Sequence, residues 1–216
     1  MTPVLHRFDP TLLLVLNLAG TFVFGLSGGL AGVQAQLDVF GVVVLGVVVG
    51  LAGGFTRDIL IGIPSQTFRD WRYLVVAGAA GLVTCVAHPV LKRLERPVLV
   101  LDAAGLALFC VTGASTALDH HVGAVEAVVL GAITGVGGGA LRDVLLREIP
   151  VVLRSGLYAI PALVGAAIVV VAARAGTHNV AFPIVGAAAC FSIRLAGLYF
   201  DINVPRARGD DGPDSR

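Results

Sequence analysis

Seven apolar stretches constrain this chain more than anything else in it, each close to the ~20 residues a helix needs to cross a hydrocarbon core about 30 Å thick. They run from about Pro10 to Val33, Val39 to Ile63, Tyr73 to Leu91, Pro97 to Leu118, Val122 to Leu146, Val151 to Ala173, and Val180 to Phe200. Short polar connections separate them, among them Gln34 to Asp38, Arg69 to Arg72, Lys92 to Arg96, Asp119 to His121 and Arg174 to Asn179. Backbone groups cannot go unpaired in hydrocarbon, so such runs are helices or strands of a closed barrel. They are about twice the length of a barrel strand and lack its alternation, so they are helices. Composition agrees, with 13% charged residues against about 25% in a soluble domain. At 56% hydrophobic residues and a mean hydropathy of +0.91, too few polar side chains remain to coat a water-facing globule.

The expected fold class is all-α integral membrane, with seven transmembrane helices in one membrane domain over about residues 1–203. The tail, 204–216, reads as polar and disordered. Val33-Gln34-Ala35 looks like a signal-peptide cleavage site, but Thr11 to Leu30 exceeds the usual 7–15-residue signal core and reads as a retained helix. Cys85, Cys110 and Cys190 lie inside apolar runs without metal-ligand or disulfide spacing, and read as packing residues. No basic block accompanies the formal net charge of +1, so nucleic acid is not an expected partner.

Slid by 85 positions, the chain matches itself. Asn17 falls on Asp102, Gly20 on Gly105, Phe24 on Phe109, Ser27 on Thr112 and Gly28 on Gly113. Gly46, Gly50 and Gly53-Gly54 fall on Gly131, Gly135 and Gly138-Gly139, and Arg57-Asp58 on Arg142-Asp143. After a one-residue gap Pro64 meets Pro150. Repeat one spans about 9–91 and repeat two about 97–173, with the seventh helix, about 180–200, outside both. Three helices per copy is an odd number, so the second copy enters the membrane from the opposite side, an inverted 3+3 pair. With seven spans, Arg69, Arg72 and Arg174 share the N-terminal side, whereas Lys92, Arg93, Arg96, Arg147, Arg154, Arg206 and Arg208 lie opposite. The richer side is expected to be cytoplasmic, placing the N-terminus outside and the C-terminus inside.

The glycines Gly46, Gly50 and Gly54, and Gly131, Gly135 and Gly139, stand four apart and so leave one bare face on the second and fifth helices. Close packing accounts for such a stripe. A kink or break that frees carbonyls to line a polar path also does, and adjacent glycines at matching places, each followed by Arg-Asp, favour it. Neighbouring residues on a helix point about 100° apart, so Arg57 and Asp58, or Arg142 and Asp143, are expected to seek partners elsewhere. They either snorkel to the interface or face an interior cavity. Asn17 and Asp102, with Ser27 and Thr112, supply further polar lining, although Asp102 and Glu126 lie near helix starts. His120-His121 reads as a solvated loop. Nothing resembles a hydrolase nucleophile, a phosphate loop or a catalytic carboxylate pair, so no enzyme, catalytic residue, metal or cofactor is expected.

Gly53-Gly54-Phe55-Thr56-Arg57-Asp58 and Gly137-Gly138-Gly139-Ala140-Leu141-Arg142-Asp143, each with its Ile-Pro, on a three-plus-three-plus-one layout, resemble the prokaryotic trimeric intracellular cation (TRIC) channels. The resemblance covers Asp9 to Phe200. It implies a homotrimer in the cell membrane with a pore in each protomer, second and fifth helices kinked at Gly50, Gly53, Gly54, Gly135, Gly137, Gly138 and Gly139, and potassium as the permeant ion. Ala52 stands where the second copy has Gly137, a departure from strict symmetry. Members of this domain family have also been labelled glycine transporters, so a secondary transporter of a small amino acid is the competing expectation.

Overall fold

A computed structural model describes residues 9–91, 96–154, 156–177 and 179–200. The expected disordered tail and the Lys92–Glu95 connection lie outside the described residues, as do Arg206 and Arg208. The described chain folds into helices α1 (Pro10–Gln34), α2 (Val39–Ile61), α3 (Gln66–Arg69), α4 (Trp71–Leu91), α5 (Pro97–Asp119), α6 (Ala124–Leu145), α7 (Val151–Arg154), α8 (Gly156–Arg174) and α9 (Ala181–Tyr199). Six of the seven long helices are long and apolar enough to cross a bilayer, and the apolar part of α4, Trp71–Ala87, is shorter. The single-turn helices α3 and α7 interrupt what reads in the sequence as connection and span. They follow Pro64 and Pro150, which cannot continue a helix ladder.

Local chemistry sets the ends of the helices. Asp9 caps α1, its carboxylate accepting from the Thr11 and Leu12 backbone N–H groups at 2.7 and 3.4 Å, ahead of Pro10 at the first helical position. Asp38 caps α2 through the Gly41 N–H at 2.7 Å. α2 ends on Gly62 in the left-handed region at φ 79°, and the matching position after α6 is Arg147 at φ 61°. Gln36 and His121, again 85 apart, share φ values of 59° and 60°. The duplication therefore reaches the backbone dihedrals of the turns.

α1 packs on α2 and α4, α5 packs on α6 and α8, and the two groups meet through α1 against α5 and α2 against α6. Their contacts are reciprocal. A Cβ on Gly20 would strike the Phe109 ring at 2.6 Å, and one on Gly105 the Phe24 ring at 2.6 Å. A Cβ on Gly53 would overlap the Thr134 carbonyl, and one on Gly138 would meet the Val49 carbonyl at 2.9 Å. As one partner's number rises the other's falls, so α1 runs antiparallel to α5, and α2 to α6. Phe24 and Phe109 touch at the centre of this arrangement, ring centroids 5.3 Å apart. α9 lies against α5 and α8 and, among the described residues, has no counterpart in the first group.

Large apolar side chains face outward, and charged groups are buried within the apolar core. Val86, Phe40 and Phe200 are exposed, Val86 by 83%, whereas Arg57, Asp58, Asp102, Arg142, Asp143 and Arg194 are buried. Lipid, not water, is the solvent such a surface suits.

Candidate functional site

Two buried arginine clusters organise the interior, one per repeat. In the first, Arg57 on α2 is 2% exposed. Its Nε and Nη2 donate to Asp58 Oδ1 at 2.8 and 2.6 Å, and its Nη1 to Asn17 Oδ1 on α1 at 3.4 Å. Asp58 Oδ2 accepts the Gln66 N–H at 2.9 Å, at the start of α3. In the second, Arg142 on α6 donates from Nε and Nη2 to Asp143 Oδ1 at 3.0 and 2.8 Å. Its Nη1 reaches both Asp102 Oδ1 on α5, at 2.8 Å, and Ser27 Oγ on α1, at 2.9 Å. Asp143 Oδ2 accepts the Val151 N–H at 2.9 Å, at the start of α7.

These contacts explain why Gly-Gly-x-x-Arg-Asp travels with Ile-Pro. Proline ends the ladder and a new helical turn begins, leaving an N–H without an intrahelical partner. The Asp eight residues earlier accepts it with one oxygen and holds Arg with the other. The sequence argument against direct Arg–Asp pairing is therefore overturned. Tethered by the backbone of the following turn, the carboxylate faces sideways, and the long Arg side chain folds back to meet it. Snorkelling is overturned as well, since Arg57 and Arg142 are both buried among helices. Asp102 is no interfacial cap, being buried and paired with Arg142.

The glycines do not break their helices. α2 and α6 each run uninterrupted through them, so of the kink or break expected from the sequence the break is corrected. Their role is contact. A Cβ on Gly50 would lie 2.8 Å from the Thr21 carbonyl, one on Gly135 2.9 Å from the Leu106 carbonyl, and one on Gly137 3.2 Å from Gly53 Cα. Removing Cβ lets backbones approach, which answers the bare stripe without lost helical hydrogen bonds. Gly139 and Gly54 differ. A Cβ on Gly139 would overlap the Tyr158 hydroxyl and lie 2.6 Å from Asp102 Oδ1, whereas one on Gly54 meets only Thr67 Oγ1 at 3.7 Å.

Thr112 joins neither cluster. Its hydroxyl turns back to the Leu108 and Phe109 carbonyls, at 3.1 and 3.4 Å, although its counterpart Ser27 bridges to Arg142. Three residues were overlooked in the sequence. Tyr73 and Tyr158, 85 apart and both buried, stand beside the first and second clusters. Arg194 on α9 is buried with its guanidinium 4.6 Å from the Tyr158 ring centroid. The shared register marks the tyrosines, and Arg194 is the lone charge in the last apolar run.

A cavity opens at each end of the α1–α5 pair. One, about 130 Å³, is lined by Leu13, Asn17, Gln66, Tyr73, Asp119 and His120. His120 is thus a half-buried wall residue, its Nδ1 2.9 Å from the Thr116 carbonyl, and not a solvated loop as expected. The other cavity, about 420 Å³, is lined by Gln34, Arg96, Val98, Arg142, Asp143 and Glu148. Gln34 and Val98 are the repeat partners of Asp119 and Leu13, so the cavities occupy equivalent places in the two copies.

Comparisons with known proteins agree with this duplication. A family model described as Glycine transporter matches twice, at residues 14–89 and 99–174, again 85 positions apart. The UPF0126 membrane protein SCO4104 of Streptomyces coelicolor is 51% identical over 91% of this chain and 91% of its own length. The UPF0126 inner membrane protein YadS of Escherichia coli is 39% identical over 88% and 93%. Among solved structures, the TRIC trimeric intracellular cation channel orthologue from Rhodobacter sphaeroides superposes with a TM-score of 0.83 at 36% identity, covering 89% of this chain and all of that one. A second, from work on conductance through TRIC cation channels, gives 0.82 at 30% identity over 92% and 98%. The chain belongs to the family these proteins share, that of the UPF0126 membrane proteins and the prokaryotic TRIC proteins.

Proposed function

We propose that this family member is a monovalent-cation channel, selective for potassium, with its own pore in each protomer of a homotrimer in the cell membrane. In this reading seven spans form an inverted 3+3+1 arrangement, with the N-terminus outside and the C-terminus in the cytoplasm, the side that carries more Lys and Arg in the sequence. The observation that carries the reading is the pair of equivalent cavities at opposite ends of antiparallel α1 and α5, each reaching a buried Arg–Asp cluster. Asn17 and Ser27 mark the two clusters along α1, ten residues or about 15 Å apart, and Phe24 lies between them. The likeness to TRIC cation channels supports the same conclusion.

In this reading a cation enters one cavity, passes between α2 and α6, and leaves by the other. Neither mouth repels it. Arg57 is balanced by Asp58, giving net zero, and Arg142 by Asp102 and Asp143, giving net −1. The centre is closed where Gly53, Gly137 and the Thr134 carbonyl meet beside Phe109. Opening parts α2 from α6 there, the bare glycine faces acting as the flexible seam. The Thr134 and Val49 carbonyls and nearby hydroxyls then replace part of the ion's hydration shell.

The Glycine transporter description of the family model favours a second reading, in which a small amino acid binds between the repeats and the two cavities open alternately. Planar-bilayer recording of the purified protein separates the two. Unitary potassium currents are the expected result. Their absence, together with saturable glycine uptake in proteoliposomes, would establish the transporter instead. Chemical cross-linking is expected to stop at three subunits.

A further inference from the structure

α8 contains a defect that α9 repairs. Leu157 leaves the helical region at φ −79°, ψ 30°, and the regular part of α8 restarts at Tyr158. A residue in that position normally offers its carbonyl to the N–H four residues on, as the first bond of the helix. Four residues on is Pro161, which has no N–H. The Leu157 carbonyl is instead taken by Arg194 of α9, whose Nη1 donates to it at 2.9 Å. The guanidinium also lies over the Tyr158 ring, 4.6 Å from its centroid, an arrangement that attracts a cation electrostatically.

Arg194 is an expensive choice for this task. It is 2% exposed, and its Nε and Nη2 have no hydrogen-bond partner among the described residues. A buried, half-satisfied guanidinium within a membrane span is costly and marks function more often than packing. Asp102 supplies the reason for a charge here. It lies within electrostatic reach of Arg194, and it is the extra carboxylate that makes the second cluster one negative charge richer than the first, where Asn17 stands. The counterparts of Leu157 and Pro161 in repeat one are Arg72 and Val76. That copy has neither the missing N–H nor, among the described residues, a helix equivalent to α9.

We infer that Arg194 is a positioning residue: it locks α9 onto the proline-opened turn of α8, balances Asp102, and holds the second half of the molecule fixed while the first half moves. Gating motion is then concentrated in α2 and α4 around the Arg57 cluster. The functional part rests on the channel reading, whereas the lock itself does not.

A double-mutant cycle between Arg194→Met and Pro161→Ala tests it. Pro161→Ala returns an N–H to the helix, so the Leu157 carbonyl no longer depends on Arg194. Arg194→Met alone is expected to lower the thermal midpoint in detergent, and at least half of that loss is expected to vanish in the Pro161→Ala background. Equal losses in both backgrounds would overturn the lock. If Arg194→Met gives no folded protein, recovery of folded trimer in the double variant is the predicted rescue, and failure there overturns the lock equally. In bilayer recordings Arg194→Met is expected to change open probability by about threefold or more at unaltered unitary conductance, and the double variant to restore it. Unchanged open probability would overturn the role in gating. Absence of current from the unsubstituted protein would reject the channel reading, with the lock still decided by the thermal cycle.

Discussion

The two arginine clusters share a plan and differ in what completes it. Around Arg57 the third contact is with an amide, Asn17, at 3.4 Å, and a Cβ on the glycine alongside, Gly54, would meet only Thr67 Oγ1 at 3.7 Å. Around Arg142 the third contact is with a carboxylate, Asp102, at 2.8 Å, Ser27 adds a fourth contact, and Gly139 is pressed between Asp102 and Tyr158. Beside it Arg194 of α9 holds the Leu157 carbonyl and lies over the Tyr158 ring. The two copies share one architecture, and the second carries more contacts to its arginine than the first. A channel that must hold together and also move has use for both.

The largest expected effect comes from removing each arginine. Arg142→Met takes the guanidinium from two buried carboxylates, Asp102 and Asp143, with Val151 still donating to Asp143, and is expected to cost about 3–5 kcal/mol. Arg57→Met strands one, with Gln66 still donating to it, and is expected to cost clearly less in thermal unfolding of the detergent-solubilised protein. Equal costs would break the comparison.

The glycines give the next largest contrast. Gly139→Ala forces Tyr158 and Asp102 apart and is expected to cost about 1–3 kcal/mol as overpacking. Gly54→Ala meets only Thr67 and is expected to be neutral or to gain up to about 1 kcal/mol from helix propensity. Midpoints that fall together would show that the second cluster is no tighter than the first.

Smallest is the contrast at the helix ends. Arg147 occupies a left-handed position that its counterpart fills with glycine. Arg147→Gly is expected to stabilise by about 1 kcal/mol and Gly62→Ala to destabilise by a similar amount. Thermal midpoints moving in the same direction would contradict equivalent turn geometry in the two copies.

Much of this was legible in the residues. The helix class follows from seven apolar runs, and the members of both clusters, Asn17, Arg57 and Asp58 with Asp102, Arg142 and Asp143, follow from the 85-residue register. Their mutual pairing was not, because helical wheel geometry omits the turn after Pro64 or Pro150 that draws the carboxylate sideways. Nor was the split between Ser27 and Thr112. A hydroxyl chooses between its own helix carbonyl and a distant guanidinium according to what lies opposite, which one stretch of sequence does not contain. The uninterrupted course of α2 and α6 was hidden for a related reason. A glycine stripe suits close contact and an interrupted ladder alike, and it takes the carbonyls packed on Gly50, Gly53, Gly135 and Gly138 to show the contact. Tyr73, Tyr158 and Arg194 carried signals, a matched pair and a lone charge, that go unread until neighbouring helices give them partners.

The central claim is that the two cavities are opposite mouths of one ion path. Gln66 and Val151, 85 apart, line one cavity each. In a protein with Cys85, Cys110 and Cys190 replaced, Gln66→Cys and Val151→Cys would be treated with a charged, membrane-impermeant thiol reagent during potassium recording in an oriented bilayer. Gln66→Cys is expected to react only from the extracellular side and Val151→Cys only from the cytoplasmic side, each with a fall in unitary current. Reaction of both from one side, or modification that leaves the current untouched, would contradict it.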